Sequence, residues 1–331
     1  MFSCSNVLFM RLFIRIILIV LLIVFSTMSV WHFSLQVFLA DAHFRKVIQY
    51  KNGKSWPEML YHYGQVLSYQ PYESFYQTNF ATDLKDGLDF YDNPEAKIQI
   101  IDLAIEAMNK IPQKNIDLRI MKNLAQIYTT KAGLTKNLED FLIADEIFRE
   151  VTNISPRMAS IYKNWCQLKI DQEDWSRALE ICRQAFYLYP QINSRTLLLH
   201  QNMIKSEMSE VYEKLGHIYF NIENWDKSEQ MYVQALKLVP LGRPNIWKKI
   251  ADIYYKQGDI DMAIEKNLHG MILSPQDSTW PLAIGLLYEE KGETIEAQRY
   301  FQKVLDLDPD NKTAQQFLGS DPIFRATQTG F

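Results

Sequence analysis

The sequence predicts an all-α protein, an α-solenoid of about seven helix pairs following one transmembrane helix. Three observations predict it. First, Pro71, Pro112, Pro156, Pro190, Pro240, Pro275 and Pro309 each close a run of helical periodicity, at spacings of 41, 44, 34, 50, 35 and 34 residues. Proline lacks an N–H and crowds the preceding turn, so a helix ends where it stands, and its recurrence marks a repeated unit. Second, residues 16–40 hold no Asp, Glu, Lys or Arg. Third, segments 244–277 and 278–311 abut and match position by position with a period of 34 residues.

Composition agrees with a stacked helical chain. The 331 residues are 47% hydrophobic, with 18 Tyr, 18 Phe and 7 Trp to interlock helices and only 12 Gly and 12 Pro. A net charge of −4 with no basic block gives no footprint for nucleic acid. Three cysteines make no disulfide framework. Cys4 lies in the N-terminal tail, while Cys166 and Cys182 fall on neighbouring predicted helices and read as buried free thiols, which behave as small hydrophobes. The other reading is a disulfide, which needs an oxidising compartment.

Residues 1–15 read as a short tail and 16–39 as a transmembrane helix. An apolar run of 25 residues spans about 37 Å at 1.5 Å per residue, against a bilayer core of ~30 Å. Trp31 and Phe33 lie toward its end, as interfacial aromatics do. A signal anchor fits this length better than a cleaved signal peptide ending at Ala40-Asp41-Ala42. Arg11 and Arg15 before the segment and Arg45, Lys46, Lys51 and Lys54 after it leave the orientation open.

The solenoid is predicted over 40–311, in units 40–73, 74–114, 118–158, 159–192, 209–242, 244–277 and 278–311. The first carries Val47, Tyr50, Met59, Tyr63, Val66 and Pro71, with Asn52-Gly53 in its turn. The second carries Ala81, Leu84, Ile100, Ala104, Ala107 and Pro112, with about seven residues inserted around Asp92-Asn93-Pro94. The third carries Leu124, Ala125, Tyr128, Ala144, Phe148 and Pro156, with a similar insertion around Thr135–Asp140. The fourth carries Tyr162, Trp165, Cys166, Ala178, Cys182 and Pro190, with Lys169 where tyrosine is expected. The fifth carries Tyr212, Leu215, Gly216, Tyr219, Ser228, Tyr232 and Pro240, after a stretch, Asn193–Met208, whose Leu197, Leu198, Leu199 and Met203 suggest a lengthened helix. The last two pair Ala251 with Gly285, Tyr254 with Tyr288, Ala263 with Ala297, Asn267 with Phe301 and Pro275 with Pro309. Gly258-Asp259 and Gly292-Glu293 occupy their turns, where glycine stops a helix without strain. Residues 312–331 read as a capping helix and a loose tail.

These positions resemble the tetratricopeptide repeat, whose signature is W-x2-L-G-x2-Y, then A-x3-F, then P. The resemblance implies stacked helix pairs with the first helix of each lining a concave groove that holds a protein or peptide segment. By alignment that groove comprises Lys122, Gln126, Lys163, Gln167, Glu213, His217, Phe220, Lys248, Asp252, Tyr255, Leu286 and Glu289. Its mixed charge and aromatic anchors suit an extended peptide and equally permit a glycan stacked on Tyr255 or Phe220. The opening of the domain, ending in Pro71-Tyr72-Glu73, is similar to repeat extensions of O-antigen ligase and polymerase-like proteins, which implies an extracytoplasmic repeat domain.

Catalytic chemistry has no foothold in the sequence. The histidines are scattered, and no H-E-x-x-H, C-x-x-C, G-x-S-x-G, P-loop or G-x-G-x-x-G occurs, so no enzyme, metal or cofactor is predicted. The expectation is a membrane-anchored scaffold that docks another protein. The alternative is an accessory of surface-polysaccharide assembly that binds a glycan or a membrane-embedded ligase.

Overall fold

The computed structural model describes residues 4–53, 55–190, 198–239 and 243–320. Lys54, Leu197, Pro240 and the predicted tail beyond 320 lie outside the described residues. The described residues are helical without a strand, and they divide into two compact units after Ile154.

The first unit holds α1 (Cys4–Val30), α2 (Gln36–Asn52), α3 (Trp56–Tyr69), α4 (Ser74–Asp86), α5 (Pro94–Asn109), α6 (Leu118–Thr135) and α7 (Leu138–Ile154). Helices α2 to α7 pack as three successive pairs. Their starts are written in the sequence. The side chains of Glu73, Asn93 and Asp117 accept from the free N–H groups of Phe75, Glu95 and Ile120 at 3.3, 2.8 and 2.9 Å. Pro57 and Pro94 stand in first turns, where the missing N–H costs nothing. The insertion predicted around Thr135 extends α6, an 18-residue helix that stops at Lys136 in the left-handed conformation, φ 54°. The insertion before Pro94 instead forms a 3-10 turn, Leu88–Phe90.

The expected span over 16–39 is corrected. Among the described residues no helix is long and apolar enough to cross a membrane. The apolar run is divided physically. Helix α1 begins at Cys4, where a tail was expected, and ends at Val30, and Trp31–Leu35 is a π-helical turn. From Gln36 the chain is already α2, fixed to α3 and α4 by buried Ala40 and Val47. The single-pass localisation and the membrane contact assigned to 16–39 fall with the span.

The second unit holds α8 (Ala159–Asp171), α9 (Trp175–Leu188), α10 (Leu198–Asn221), α11 (Trp225–Leu238), α12 (Asn245–Lys256), α13 (Ile260–Leu273), α14 (Thr279–Lys291), α15 (Thr294–Leu307) and α16 (Lys312–Ser320). They form four pairs with α16 packed on α15. Helix α10, with 24 residues, is the lengthened helix expected before unit five. Six of the seven ladder prolines are described, each two or three residues past the end of its helix.

One turn recurs between paired helices. Glu173, Glu223, Gly258 and Gly292 all take positive φ, at 58°, 59°, 82° and 79°. The next residue closes the turn by donating its N–H five residues back, from Asp174 to Lys169, Asn224 to Tyr219, Asp259 to Tyr254 and Glu293 to Tyr288, at 2.9 to 3.0 Å. The tyrosine position of the repeat is thus also the acceptor of this bond, and Lys169 fills that role without the ring.

In α10–α11 and α14–α15 the helices cross where a glycine lies under an aromatic ring. A Cβ on Gly216 would meet the Tyr232 ring at 2.8 Å, and one on Gly285 would meet Phe301 at 2.9 Å. In α8–α9 the corresponding positions are Cys166 and Cys182. They form a disulfide, with Cα atoms 5.2 Å apart and both side chains fully buried. This corrects the expectation of free thiols. The crossing that brings small residues into contact also brings two cysteines into bonding range.

Candidate partner-binding site

Helices α8, α10 and α12 of the second unit enclose a polar cavity of about 410 Å³. Helix α10 supplies its floor through Glu210, Glu213, Lys214 and His217, spaced i, i+3, i+4, i+7 and therefore on one face. Gln167 and Asp171 come from α8, Lys249 from α12, and Arg243 from the turn before α12.

A chain of ion pairs braces the walls. Lys163 reaches Glu210 at 2.7 Å, Arg243 reaches Glu210 at 3.0 Å and Glu213 at 2.5 Å, and Lys249 reaches Glu213 at 3.1 Å. Burial pushes the Glu213 carboxyl up, but Lys249 and Arg243 outweigh it and hold the acid below its usual range. Burial pushes His217 down, with Lys249 and Lys214 adding to the effect, so the imidazole is neutral near pH 7. Its ring stands edge-on to Trp175, centroids 5.8 Å apart.

Lys214 differs from the other cations. Its ammonium donates to the Gln167 amide oxygen, whereas Lys163, Arg243 and Lys249 each pair with a carboxylate. Burial pushes its pKa down to about 8, against the opposing pull of Glu210 and Asp171. An ammonium carries three donors. One is used on Gln167, and the cavity is where a ligand's acceptors would find the others.

Of the twelve residues predicted from sequence, Gln167, Glu213 and His217 line this cavity and Lys163 is tied to it through Glu210. Phe220 packs edge-on against Trp225 within an apolar cluster. Lys248, Asp252, Tyr255, Leu286 and Glu289 are exposed on α12 and α14. Tyr255 is 41% exposed, its hydroxyl 3.4 Å from Glu290. Lys122 and Gln126 lie half-buried on α6 in the first unit. Sequence reasoning missed Asp171, Glu210, Lys214, Arg243 and Lys249. The polar stripe from Glu210 to His217 was the available signal for two of them, whereas Arg243 sits in a turn, where helical spacing says nothing. Among the described residues no three His, Cys, Asp or Glu side chains gather to hold a metal.

A tetratricopeptide-repeat family model matches residues 209–240 and 282–311. The chain carries tetratricopeptide repeats. Human protein O-mannosyl-transferase TMTC1 is 25% identical over 223 residues, 60% of this chain and 24% of that protein. Photosystem I assembly protein Ycf3 of Prochlorococcus marinus (strain MIT 9211) is 28% identical over 105 residues, 31% of this chain and 60% of that protein. The chain thus spans about a quarter of the first relative and three-fifths of the second. Among solved structures, Pseudomonas aeruginosa pilF is similar at 18% identity and a TM-score of 0.46, covering 74% of this chain and 98% of that one, a likeness too slight to carry an argument.

Proposed function

We propose that the protein is a scaffold without catalysis of its own, and that the repeats of its second unit hold an extended peptide segment of a partner protein. The carrying observation is Lys214, a half-buried lysine whose ammonium donates to the Gln167 amide and faces a polar cavity. The lining sets three acids, Asp171, Glu210 and Glu213, against three cations, Lys214, Arg243 and Lys249, so the cavity suits the neutral carbonyl groups of a peptide backbone. Exposed Tyr255 and Leu286 on α12 and α14 offer the apolar contacts that anchor side chains. The groove residues proposed around this cavity are those of the second unit, Lys163, Gln167, Glu213, His217, Phe220, Lys248, Asp252, Tyr255, Leu286 and Glu289.

A random 12-residue peptide library panned against the full chain tests the reading. Selected peptides should weaken at least tenfold with Lys214→Met and be unaffected by Ile295→Ala, which alters a residue 82% exposed on α15. Equal binding by both variants contradicts the proposal. A glycan array run alongside tests the polysaccharide alternative: glycan binding lost with Lys214→Met, with no peptide selected, would replace the peptide reading.

A further inference from the structure

Helices α2 and α3 of the first unit meet through two histidines. His43 of α2 and His62 of α3 face each other with their Nδ1 atoms 2.9 Å apart. Their ring centres are 5.2 Å apart, so that contact and the two ring radii account for the whole separation, and the nitrogens stand head to head. His62 is 7% exposed. Tyr50 of α2 stacks on its ring, centroids 5.4 Å apart and planes 13° apart, and Tyr61 stands edge-on to it at 5.2 Å. Tyr69 lies 6.0 Å from the His43 ring. These rings hold His62 in place beside its partner.

A bond between two imidazole nitrogens needs a proton on one of them and a lone pair on the other. One ring therefore donates from Nδ1 and the other accepts. A first added proton goes to Nε2 of the donor ring and leaves the bond in place. The lone pair that then remains is the accepting Nδ1 itself. A second proton there sets two N–H groups head to head and puts a positive charge on each of two adjoining rings. The charged groups of the packed elements do not offset this. Helix α2 carries Arg45, Lys46 and Lys51. Burial, then His43 and Lys46, pushes His62 down. The acids are engaged elsewhere. Asp41 of α2 accepts from the Tyr76 hydroxyl at 2.5 Å, and Glu58 of α3 accepts from Ser55. Glu73 caps α4, Asp83 takes Lys51 and the Tyr63 hydroxyl, and Asp86 pairs with Lys85.

We infer that the His43–His62 pair is an acid-sensitive latch, which fastens α2 to α3 at neutral pH and lets go when the pair takes up two protons. Released rings titrate near the ordinary histidine value of about 6.5. The open form then binds more protons than the closed one, so the latch is intact above that value and weakens as pH falls below it. Val47, Met59 and Tyr63 stay packed with Phe44, so the release is local. The latch lies within the first unit and does not depend on the peptide site of the second. Amide hydrogen exchange of the full chain at about pH 7.5 and about pH 5, corrected for the intrinsic effect of pH, tests it across the histidine range. Protection around residues 43 and 62 should fall at least fivefold at the lower pH, while α14 and α15 hold theirs. His62→Phe keeps a ring against Tyr50 and His43→Gln keeps a polar partner for His62, and neither variant has the pair to titrate. Both should show equal protection at the two pH values. Nitrogen NMR of the unaltered, histidine-labelled chain at the higher pH should find one of the two rings as the Nδ1–H tautomer, a reading that decides even where a variant melts early. Three results overturn the inference: wild-type protection unchanged by pH, a fall that persists in both variants, or both rings as Nε2–H tautomers.

Discussion

The pairs α14–α15 and α8–α9 solve one packing problem with opposite chemistry. In α14–α15 a glycine makes room for a phenylalanine ring, and the crossing is held by contact alone. In α8–α9 the equivalent positions are joined by a covalent bond. The first crossing depends on shape and fails if the small residue grows. The second depends on redox state. The repeat frame fixes where helices cross, and the residue pair placed there decides what the crossing is sensitive to.

The largest effect should come from the covalent crossing. Closing a loop of roughly 15 residues is worth about 3 kcal/mol through the unfolded chain, so Cys166→Ala with Cys182→Ala should lower stability by an amount of that order. Chemical reduction should speed amide hydrogen exchange in α8 and α9 and leave α14 and α15 as they were. Intact-mass measurement without reductant should show the chain two hydrogens light. Uniform exchange in both pairs on reduction would mean the bond carries nothing local.

Next is the contact crossing. Gly285→Leu drives a side chain into the Phe301 ring, 2.9 Å from the position a Cβ would take, and overpacking of this kind costs about 1–3 kcal/mol. Thermal melting checks it, and an unchanged midpoint would remove Gly285 from the crossing. The same comparison extends at smaller scale to the turns. Glu223 takes the left-handed conformation that Gly258 takes freely. Such a residue pays ~1–2 kcal/mol, part of which glycine returns through its freer unfolded state. Glu223→Gly should therefore stabilise by about 0.5–1 kcal/mol, and Gly258→Ala should cost a similar amount.

The helices were legible because their signals are local. Prolines mark the ends, and steps of 35 and 34 residues set Gly216, Ala251 and Gly285 in one frame. What escaped depends on context. Glu173 and Glu223 carry no sign of a left-handed turn, because only the closing hydrogen bond to Lys169 or Tyr219 imposes it. Cys166 and Cys182 were placed on facing helices correctly, yet burial alone does not tell a thiol pair from a cystine. Apolar composition over 16–39 suggested one span, but Ala40 and Val47 draw the chain into α2 just beyond the π-helical turn. At the site, aligning repeats selected two or three positions per helix and passed over Lys214, whose significance comes from Gln167 on another helix and from the cavity it faces.

The proposed groove function stands or falls with the charge on that amine. With burial pushing its pKa down to about 8, Lys214 loses its proton as pH rises through that value and with it a donor. Affinity for a library-selected peptide, followed from about pH 6.5 to 9.5, should hold below neutrality and fall as pH passes about 8. Lys214→Arg, which keeps its charge throughout, should bind with a flat profile. A wild-type affinity that stays level through pH 8, or a decline that persists in Lys214→Arg, would contradict the account.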